Sequence, residues 1–310
     1  MNIIVYAYYV NKKINKVLYK MNIILIIVLI LLLLIIYFYK KIMNKYFRRN
    51  DGQISYNFLI NLIQAVSSNN NYMNYGYWTK ETRTLYEANK NLINLVLDKS
   101  GLRDKKNMKI LDVGCGYGVQ DIEWMNNIDK TCKITAVDIS EEQINDALSK
   151  ESDVKFEVCD AERIDIKYKN ELFDRIMSVE SAFHYSDRNK FYNNVNVLLK
   201  EDGKFIITDL MLKSDYDDSL ITRIILYFFS DFLCIPNENL IKEDEWIKNI
   251  NKELEIEEII DITYNSFNQY YDHFMKRFFN NNDILGDIFS KFFCSYQPFV
   301  YKVLVCSKKK

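Results

Sequence analysis

A glycine-rich turn stands where a buried strand meets a helix. Gly114, Gly116 and Gly118 alternate with other residues in the segment ILDVGCGYGVQD, residues 110–121. Glycines let a turn adopt positive φ and let a ligand press against the backbone. A dinucleotide-binding turn reads G-x-G-x-x-G and places a pyrophosphate at the helix N-terminus. The G-x-G-x-G spacing, with Asp112 just upstream, instead predicts a cationic ligand that carries no phosphate.

Acidic side chains follow the next two β-rich runs. Asp138 ends the run KITAVD, and Asp160 ends the run VKFEVCD and is followed by Ala161. In open α/β sheets, ligands bind outside the carboxyl ends of the strands. Asp138 is therefore placed to accept hydrogen bonds from a diol, and a strand-end cap is the alternative for this residue.

Two further residues could take up a proton. His184 lies just beyond the fourth run, in the segment that begins at Glu180, and Asp209 lies at the end of the fifth run. A histidine with its ordinary pKa near 6.5 is suited to proton abstraction at neutral pH. We predict that His184 is a catalytic base and that Asp209 orients it or shares its role. The alternatives are a packing role for His184, a strand-end cap for Asp209, and, for Glu180, a buried carboxylate rather than a substrate contact.

A series of β-rich runs must position these residues. We place strands at KILDVG (109–114), KITAVD (133–138), VKFEVCD (154–160), FDRIMSV (173–179) and GKFIITDL (203–210). Amphipathic segments such as EEQINDALSKE lie between them, and this alternation is typical of a mainly parallel α/β sheet with helices on both faces. The runs LEIEEIIDIT and PFVYKVLVC would complete a seven-stranded, Rossmann-like sheet, the last as an antiparallel edge strand.

The composition excludes several classes of protein. Among 310 residues, 41 basic and 42 acidic side chains nearly cancel, so the chain lacks the basic surface expected of a nucleic-acid binder. Only 8 Gly and 2 Pro, with 49% hydrophobic residues, argue against a collagen-like or disordered chain. A polyanion is therefore not the expected partner, and the oligomeric state stays open.

Residues 22–39 are predicted to form a transmembrane helix. The run from Ile23 to Tyr39 is continuously apolar, and such a helix covers roughly 27 Å of hydrocarbon. Lys40 and Lys41 follow the run in place of the small residues of a signal-peptide cleavage site, which favours an uncleaved anchor. Basic residues on both flanks leave the orientation undecided. The tail is then 1–21, a basic juxtamembrane linker and helix occupy 40–70, and the main domain is 71–310.

The segment ILDVGCGYG resembles the first motif of class I S-adenosylmethionine-dependent methyltransferases, and the resemblance extends over roughly residues 71–308. Three further stretches are similar to the group that acts on tocopherols, sterols, macrolides and indole glycosides. These stretches are NYMNYGYW (71–78), the segment 178–210, and CIPNENLIKEDEW with ITYNSFNQYYDHF. The resemblance implies a small-molecule methyltransferase that uses S-adenosylmethionine and no metal.

The resemblance also implies which residues contact the cofactor. Asp138 matches the acid that binds both ribose hydroxyls, Asp160 matches the acid that meets the adenine amine, and Tyr77 would cover the sulfonium, with core packing as its alternative. The implied cofactor contacts are Tyr77, Asp112, Gly114, Gly116, Gly118, Asp138, Asp160 and Ala161. A hydroxyl acceptor would need a base, and the family places a histidine at the position of His184.

The stretch from Leu220 to Pro236 falls where this family inserts a substrate cap, about 211–250. Its apolar character predicts either a lipophilic acceptor pocket or insertion into a membrane. Because the cofactor is largely cytosolic, the domain is expected to face the cytosol. Transfer to nitrogen or carbon and a catalytically silent, membrane-tethered binding module remain alternatives. A nicotinamide oxidoreductase is disfavoured by the spacing of the glycine turn.

Overall fold

The computed structural model describes residues 71–278 and 283–309. The predicted tail, transmembrane helix and linker at 1–70 lie outside this part of the chain. Within these two ranges, no helix combines the length and the apolar character needed to cross a bilayer.

Seven strands form one sheet in the order β3-β2-β1-β4-β5-β7-β6. Strands β1 to β5 run parallel, and β7 is antiparallel to both of its neighbours. The strands are β1 Lys109–Val113, β2 Lys133–Asp138, β3 Lys155–Val158, β4 Phe173–Val179, β5 Leu199–Leu212, β6 Leu254–Asp261 and β7 Phe299–Lys308. All seven predicted strands are therefore present. The parallel order brings the ends of β1, β2, β3 and β4 to one edge of the sheet.

The prediction of β7 as the edge strand is wrong. Strand β7 lies between β5 and β6, so β6 forms the edge. The physical reason is burial, because most β7 residues are covered on both faces whereas most β6 residues are exposed or half-buried. A nearly continuous apolar run such as FVYKVLVC suits an interior strand, and the glutamates of β6 suit an edge.

Helices cover both faces of the sheet, as predicted. On one face α1, α2 and α3 share a core cluster with Ile110, and on the other α4, α5 and α7 share a cluster with Leu111. Neighbouring residues of β1 thus point to opposite cores, as the pleat requires. These helices are α1 Leu85–Ser100, α2 Val119–Asn126, α3 Glu141–Leu148, α4 Ile164–Lys167, α5 Arg188–Leu198 and α7 Glu243–Glu253.

Local capping signals set several helix ends. Thr84 and Glu87 form a reciprocal capping box at the start of α1, and Gly101 ends that helix in the left-handed conformation. Ser140 and Asp187 cap α3 and α5 with their side-chain oxygens. The helices that flank the site therefore begin where the sequence places an N-cap residue.

Two insertions stand outside the sheet layers. Helix α6 (Leu220–Phe232) follows β5, whereas α8 (Gln269–Phe278) and α9 (Asp283–Tyr296) lie between β6 and β7. Helix α7 falls mostly inside the predicted cap, 211–250. Its Trp246 is fully buried in the core cluster below the sheet. The insertion after β5 therefore ends before α7, which belongs to the layer of helices that covers the sheet.

Candidate active site

The glycine turn after β1 packs against the segments that follow β2 and β4. The N–H groups of Gly114 and Cys115 donate to the Val137 carbonyl oxygen over 2.8 and 3.0 Å. Gly114 has φ +85°, and a Cβ there would lie well under 3.0 Å from the Ser181 side chain. At Gly116, φ is +55° and the nearest atom to an added Cβ is the Met73 sulfur at 3.8 Å. Gly114 thus allows the turn to touch the β4 segment, while Gly116 leaves space for a ligand.

Asp138 ties the end of β2 to the glycine turn. Its Oδ2 accepts from the Gly116 N–H at 2.9 Å, and its Oδ1 accepts from the Ser140 N–H at 2.9 Å. Burial raises the pKa of this carboxyl, although both backbone bonds act in the opposite direction. Each carboxylate oxygen can accept more than one hydrogen bond, so Asp138 retains acceptor capacity for ribose hydroxyls.

Asp112 lies beneath the turn, where it is fully buried. Gln120 Nε2 donates to Asp112 Oδ2 over 2.6 Å. The equally buried carboxyl of Asp121 faces Asp112, and burial raises the pKa of Asp112 to about 7 and that of Asp121 above its ordinary range. Two facing carboxyls in a dry environment favour sharing a proton over ionising together. Asp112 therefore supports the turn from below.

The structure also shows the local contacts of the remaining predicted cofactor residues, Gly118, Asp160, Ala161 and Tyr77. A Cβ on Gly118 would clash with Phe156 and approach the Ala147 Cβ to 2.9 Å, so this glycine permits close helix packing. Asp160 Oδ1 accepts from the Glu162 N–H at 2.9 Å and caps a short helix in which Ala161 is buried. Tyr77 is half-buried, and its N–H donates to the Ala88 carbonyl oxygen of α1 at 2.8 Å. Their cofactor contacts remain predictions.

His184 ends a short 3-10 helix, Ala182–His184, directly after β4. Its Nδ1 lies 3.3 Å from the Cys234 carbonyl oxygen. A carbonyl oxygen only accepts, so Nδ1 carries the proton in the neutral ring and Nε2 carries a lone pair. Burial lowers the pKa of His184 to about 4, and the Arg188 charge acts in the same direction. The imidazole is therefore neutral at pH 7 and able to accept a proton.

Glu180 directly follows β4 and is half-buried, and the sequence left open whether its carboxyl contacts the substrate or is buried and hydrogen-bonded. Its backbone has φ +50°, which is unusual for a residue with a side chain. Glu180 Oε1 accepts from the Tyr75 N–H at 2.8 Å and from the Tyr301 hydroxyl. Burial raises the pKa of this carboxyl to about 8. The strained backbone thus directs a carboxyl toward the N-terminal segment and β7, where it can hold a proton near neutral pH.

Aromatic rings surround the Glu180 contacts. The Tyr75 ring meets Phe267, Tyr270 and Tyr301 edge to face, with centroid distances of 5.0, 4.7 and 6.3 Å. These rings come from the N-terminal segment, the π-helix Tyr264–Asn268, α8 and β7. The aromatic content of YYDHF was visible in the sequence, but only the tertiary fold joins it to Tyr75 and Tyr301. The rings of Tyr75, Phe267, Tyr270 and Tyr301 form an aromatic wall beside the half-buried Glu180 carboxyl.

Asp209 is fully buried in an ion pair. Its Oδ2 lies 3.2 Å from Arg188 Nη1 and accepts from Trp246 Nε1 at 3.2 Å, and its Oδ1 accepts from the Leu210 N–H. Burial raises the pKa of Asp209, and the guanidinium opposes that change. These bonds differ from the predicted arrangement, in which Asp209 orients His184 directly or shares its role.

The ion pair positions the segment that carries His184. Arg188 also donates to the Asn239 carbonyl oxygen at 3.1 Å, and Asn239 Nδ2 donates to the carbonyl oxygens of Phe183 and Tyr185 at 3.0 and 2.6 Å. Asp209 thus acts on the backbone around His184 through Arg188 and Asn239.

We expect Arg188→Met to lower the free energy of unfolding by about 3–5 kcal/mol, because it leaves the Asp209 carboxyl buried without its cation. The matched control is Lys204→Met, which breaks the half-exposed pair with Glu257 and should cost about 0–1 kcal/mol. Chemical denaturation of both variants measures the difference. Equal losses would show that the Arg188–Asp209 pair does not stabilise the fold.

Comparisons with known proteins agree with this fold. Residues 104–255 match a protein-family model described as a methyltransferase domain. Erythromycin 3''-O-methyltransferase from Saccharopolyspora erythraea is 31% identical over 144 residues, which are 45% of this chain and 46% of that enzyme. (S)-Coclaurine N-methyltransferase from Papaver somniferum is 26% identical over 215 residues, 60% of each chain. The chain thus spans about half the length of the curated relatives it matches.

Solved structures support the same fold. The cyclopropane synthase MmaA2 from Mycobacterium tuberculosis superposes with a TM-score of 0.62 at 17% identity, covering 76% of this chain and 90% of that one. Other solved structures of this fold hold S-adenosylmethionine or S-adenosyl-L-homocysteine. The chain therefore shares the fold of these methyltransferases and of the cyclopropane synthase.

Proposed function

We propose that this chain, which has the class I methyltransferase fold and matches the methyltransferase-domain family over residues 104–255, transfers a methyl group from S-adenosylmethionine to a hydroxyl of a small, lipophilic acceptor. His184 is the base. The observation that carries the proposal is the 3.3 Å contact between His184 Nδ1 and the Cys234 carbonyl oxygen, from which we infer the tautomer with the proton on Nδ1. Nε2 is then the ring atom that takes the acceptor proton.

The residues around the glycine turn fit the cofactor. Gly116 leaves open space above the backbone, and Asp138 retains acceptor capacity beside it. Asp160 would meet the adenine side, and Tyr77 would cover the sulfonium. When bound, S-adenosylmethionine supplies an electrophilic methyl group for an in-line displacement.

His184 accepts the one proton that an O-methylation releases. When the acceptor oxygen receives the methyl group, the carbon–sulfur bond would break to leave S-adenosyl-L-homocysteine, and the acceptor proton would move to His184 Nε2. The resulting imidazolium holds a stronger, charge-assisted bond to the Cys234 carbonyl oxygen. The buried Arg188–Asp209 pair keeps the His184 segment in place without contributing a proton.

Two apolar segments, helix α6 and the run 23–39, support the proposals of a lipophilic acceptor and of membrane attachment. Helix α6 is strongly apolar, and its Leu226 and Phe229 pack against the core cluster that includes Phe267. The uncharged run 23–39 would anchor the chain in a membrane, with the catalytic domain facing the cytosol. A sterol, a prenylated phenol or another membrane-dissolved lipid is the expected class of acceptor. The near-zero net charge argues against a nucleic-acid substrate.

Methylation of an amine is the second candidate function. The specific observation is Glu180, a half-buried carboxyl beside the rings of Tyr75 and Tyr301. Once ionised, this carboxyl would hydrogen-bond an amine held beside the aromatic faces and, with its pKa raised to about 8, could take a proton from it before methyl transfer. (S)-Coclaurine N-methyltransferase among the relatives is consistent with an amine acceptor.

The test supplies the full chain in detergent with methyl-labelled S-adenosylmethionine and a total lipid extract. We expect labelled product in the organic phase, identified by mass spectrometry, with an added methyl on oxygen. Label on nitrogen would favour the amine alternative. If the protein binds the cofactor but labels no lipid, the lipophilic acceptor is wrong, and polar acceptors or a silent binding module become the better explanation.

A further inference from the structure

Helix α9 exposes a row of large apolar side chains. Ile284, Ile288, Phe292 and Tyr296 are 74%, 57%, 46% and 46% exposed. Residues spaced by four lie on one side of a helix, here within about 120° of its circumference. Leu285 and Phe289 are exposed beside them. We call this surface, residues 284, 285, 288, 289, 292 and 296, the outer face of α9.

The opposite side of α9 is packed against α6 and α8. Phe293 meets the rings of Phe229 and Tyr271 with centroid distances of 5.7 and 5.6 Å, and Ser290 is buried. Gly286 lies against Lys276 of α8, where a Cβ would approach the lysine Cγ to 2.8 Å. The helix is therefore attached through its inner side, and its apolar outer face stays largely exposed.

Helix α6 repeats the pattern. Leu220 and Tyr227 are 75% and 39% exposed, and at about 100° per residue they lie on the side opposite Phe229. Contiguous exposed apolar surface is rare on soluble monomers and marks an interaction site. The neighbouring helices α6 and α9 thus both present apolar side chains outward.

We infer that the outer face of α9 rests on a lipid bilayer, an inference that builds on the membrane attachment in the proposed function. With 14 residues, α9 is about 21 Å long, too short to span about 30 Å of hydrocarbon, so it would lie in the interface. The outer face carries no charged residue, and Lys291 at its border can extend to the headgroups. The chain outside the described residues also carries the uncharged run 23–39, which makes a bilayer the favoured occupant over a second copy.

This placement would bring the bilayer close to the acceptor site. Phe293 on the inner side of α9 contacts Tyr271, Tyr271 stacks on Phe267, and Phe267 contacts Tyr75 beside Glu180. Only α9 itself and the rings of Phe293 and Tyr271 therefore lie between the outer face and the aromatic wall. A membrane-dissolved acceptor would then reach the aromatic wall from the bilayer without passing through water.

The test places a tryptophan on the outer face of the full chain. Phe292→Trp and, as the matched control, Val197→Trp on α5, where Val197 is 54% exposed, are mixed with phosphatidylcholine vesicles whose acyl chains carry bromine. After subtraction of the parent emission, we expect bromine to quench about half of the added signal in Phe292→Trp and little of the added signal in Val197→Trp. Circular dichroism and S-adenosyl-L-homocysteine binding check that both variants are folded.

Either of the following results would overturn the inference of a lipid contact. Equal quenching of the two introduced tryptophans, or failure of the chain to bind the vesicles, excludes a lipid contact at α9. An unquenched signal from Phe292→Trp together with a dimer mass in light scattering assigns the outer face to a second copy. Quenching needs no turnover, so loss of methyl transfer and loss of lipid contact are separate results.

Discussion

Replacing His184 by alanine is expected to lower the rate of methyl transfer by about 100- to 10,000-fold, the usual contribution of a positioned base. The dissociation constant of S-adenosylmethionine should not change, because the contacts that we assign to the cofactor lie around Gly116 and Asp138. Single-turnover transfer to the acceptor found in the lipid extract measures the first quantity, and titration calorimetry measures the second.

The pH profile separates His184 from Glu180 as the base. Burial lowers the pKa of His184 to about 4, below its ordinary value near 6.5, so the neutral imidazole persists at lower pH. With His184 as base, the rate should be level from about pH 8 down to about pH 5 and fall below that. The pKa of Glu180 is raised to about 8, so a carboxylate base there would make the rate rise through that pH.

His273→Ala is the matched control for the His184 variant. His273 lies on α8 with its ring 5.5 Å from that of Trp78, and we assign it no proton transfer. Its replacement should leave the rate within a few-fold of the parent. If His184→Ala keeps the parent rate, or if the rate follows a midpoint near pH 8, the assignment of His184 as base is wrong.

Replacing Gly114 by alanine is expected to weaken S-adenosylmethionine binding by about 100-fold. A methyl group at this position would overlap the Ser181 side chain, and the backbone at φ +85° disfavours any residue with a Cβ. Strain and overpacking together cost about 3 kcal/mol, which the turn can relieve only by moving away from its ligand-binding position. Calorimetric titration with the cofactor gives the loss.

Gly101 is the control for this substitution, because its φ is also positive but no atom would contact an added Cβ. It has φ +65°, and nothing lies within 4 Å of an added Cβ. Gly101→Ala should therefore lower the free energy of unfolding by about 1–2 kcal/mol without changing cofactor affinity. Ser181→Gly added to Gly114→Ala removes the overlapping atoms and should restore part of the affinity. No recovery in the double variant would mean that backbone strain, and not contact with Ser181, sets the effect.

The positions of the strands along the chain and the residues at their carboxyl ends were readable from the sequence. The glycine turn, Asp138 and Asp160 each stand at the end of a short apolar run, so the pattern that predicts the strand also predicts the position of the residue. The 3-10 turn that holds His184 follows β4 directly for the same reason. These signals are local, because a strand, its turn and its terminal side chain occupy adjacent positions in the chain.

The tertiary structure decided the partners of the buried polar groups. Glu180 meets Tyr75 and Tyr301, which are 105 and 121 positions away, and no periodicity in one segment encodes a contact across such separations. The pairing of Asp209 with Arg188 depends on how α5 and α7 pack below β5. Strand β7 became interior because burial of both its faces stabilises the sheet more than burial of the glutamate-rich β6 would. The sequence by itself thus determined the fold class and the glycine turn, whereas long-range packing decided which groups hold protons and which side of α9 stays exposed.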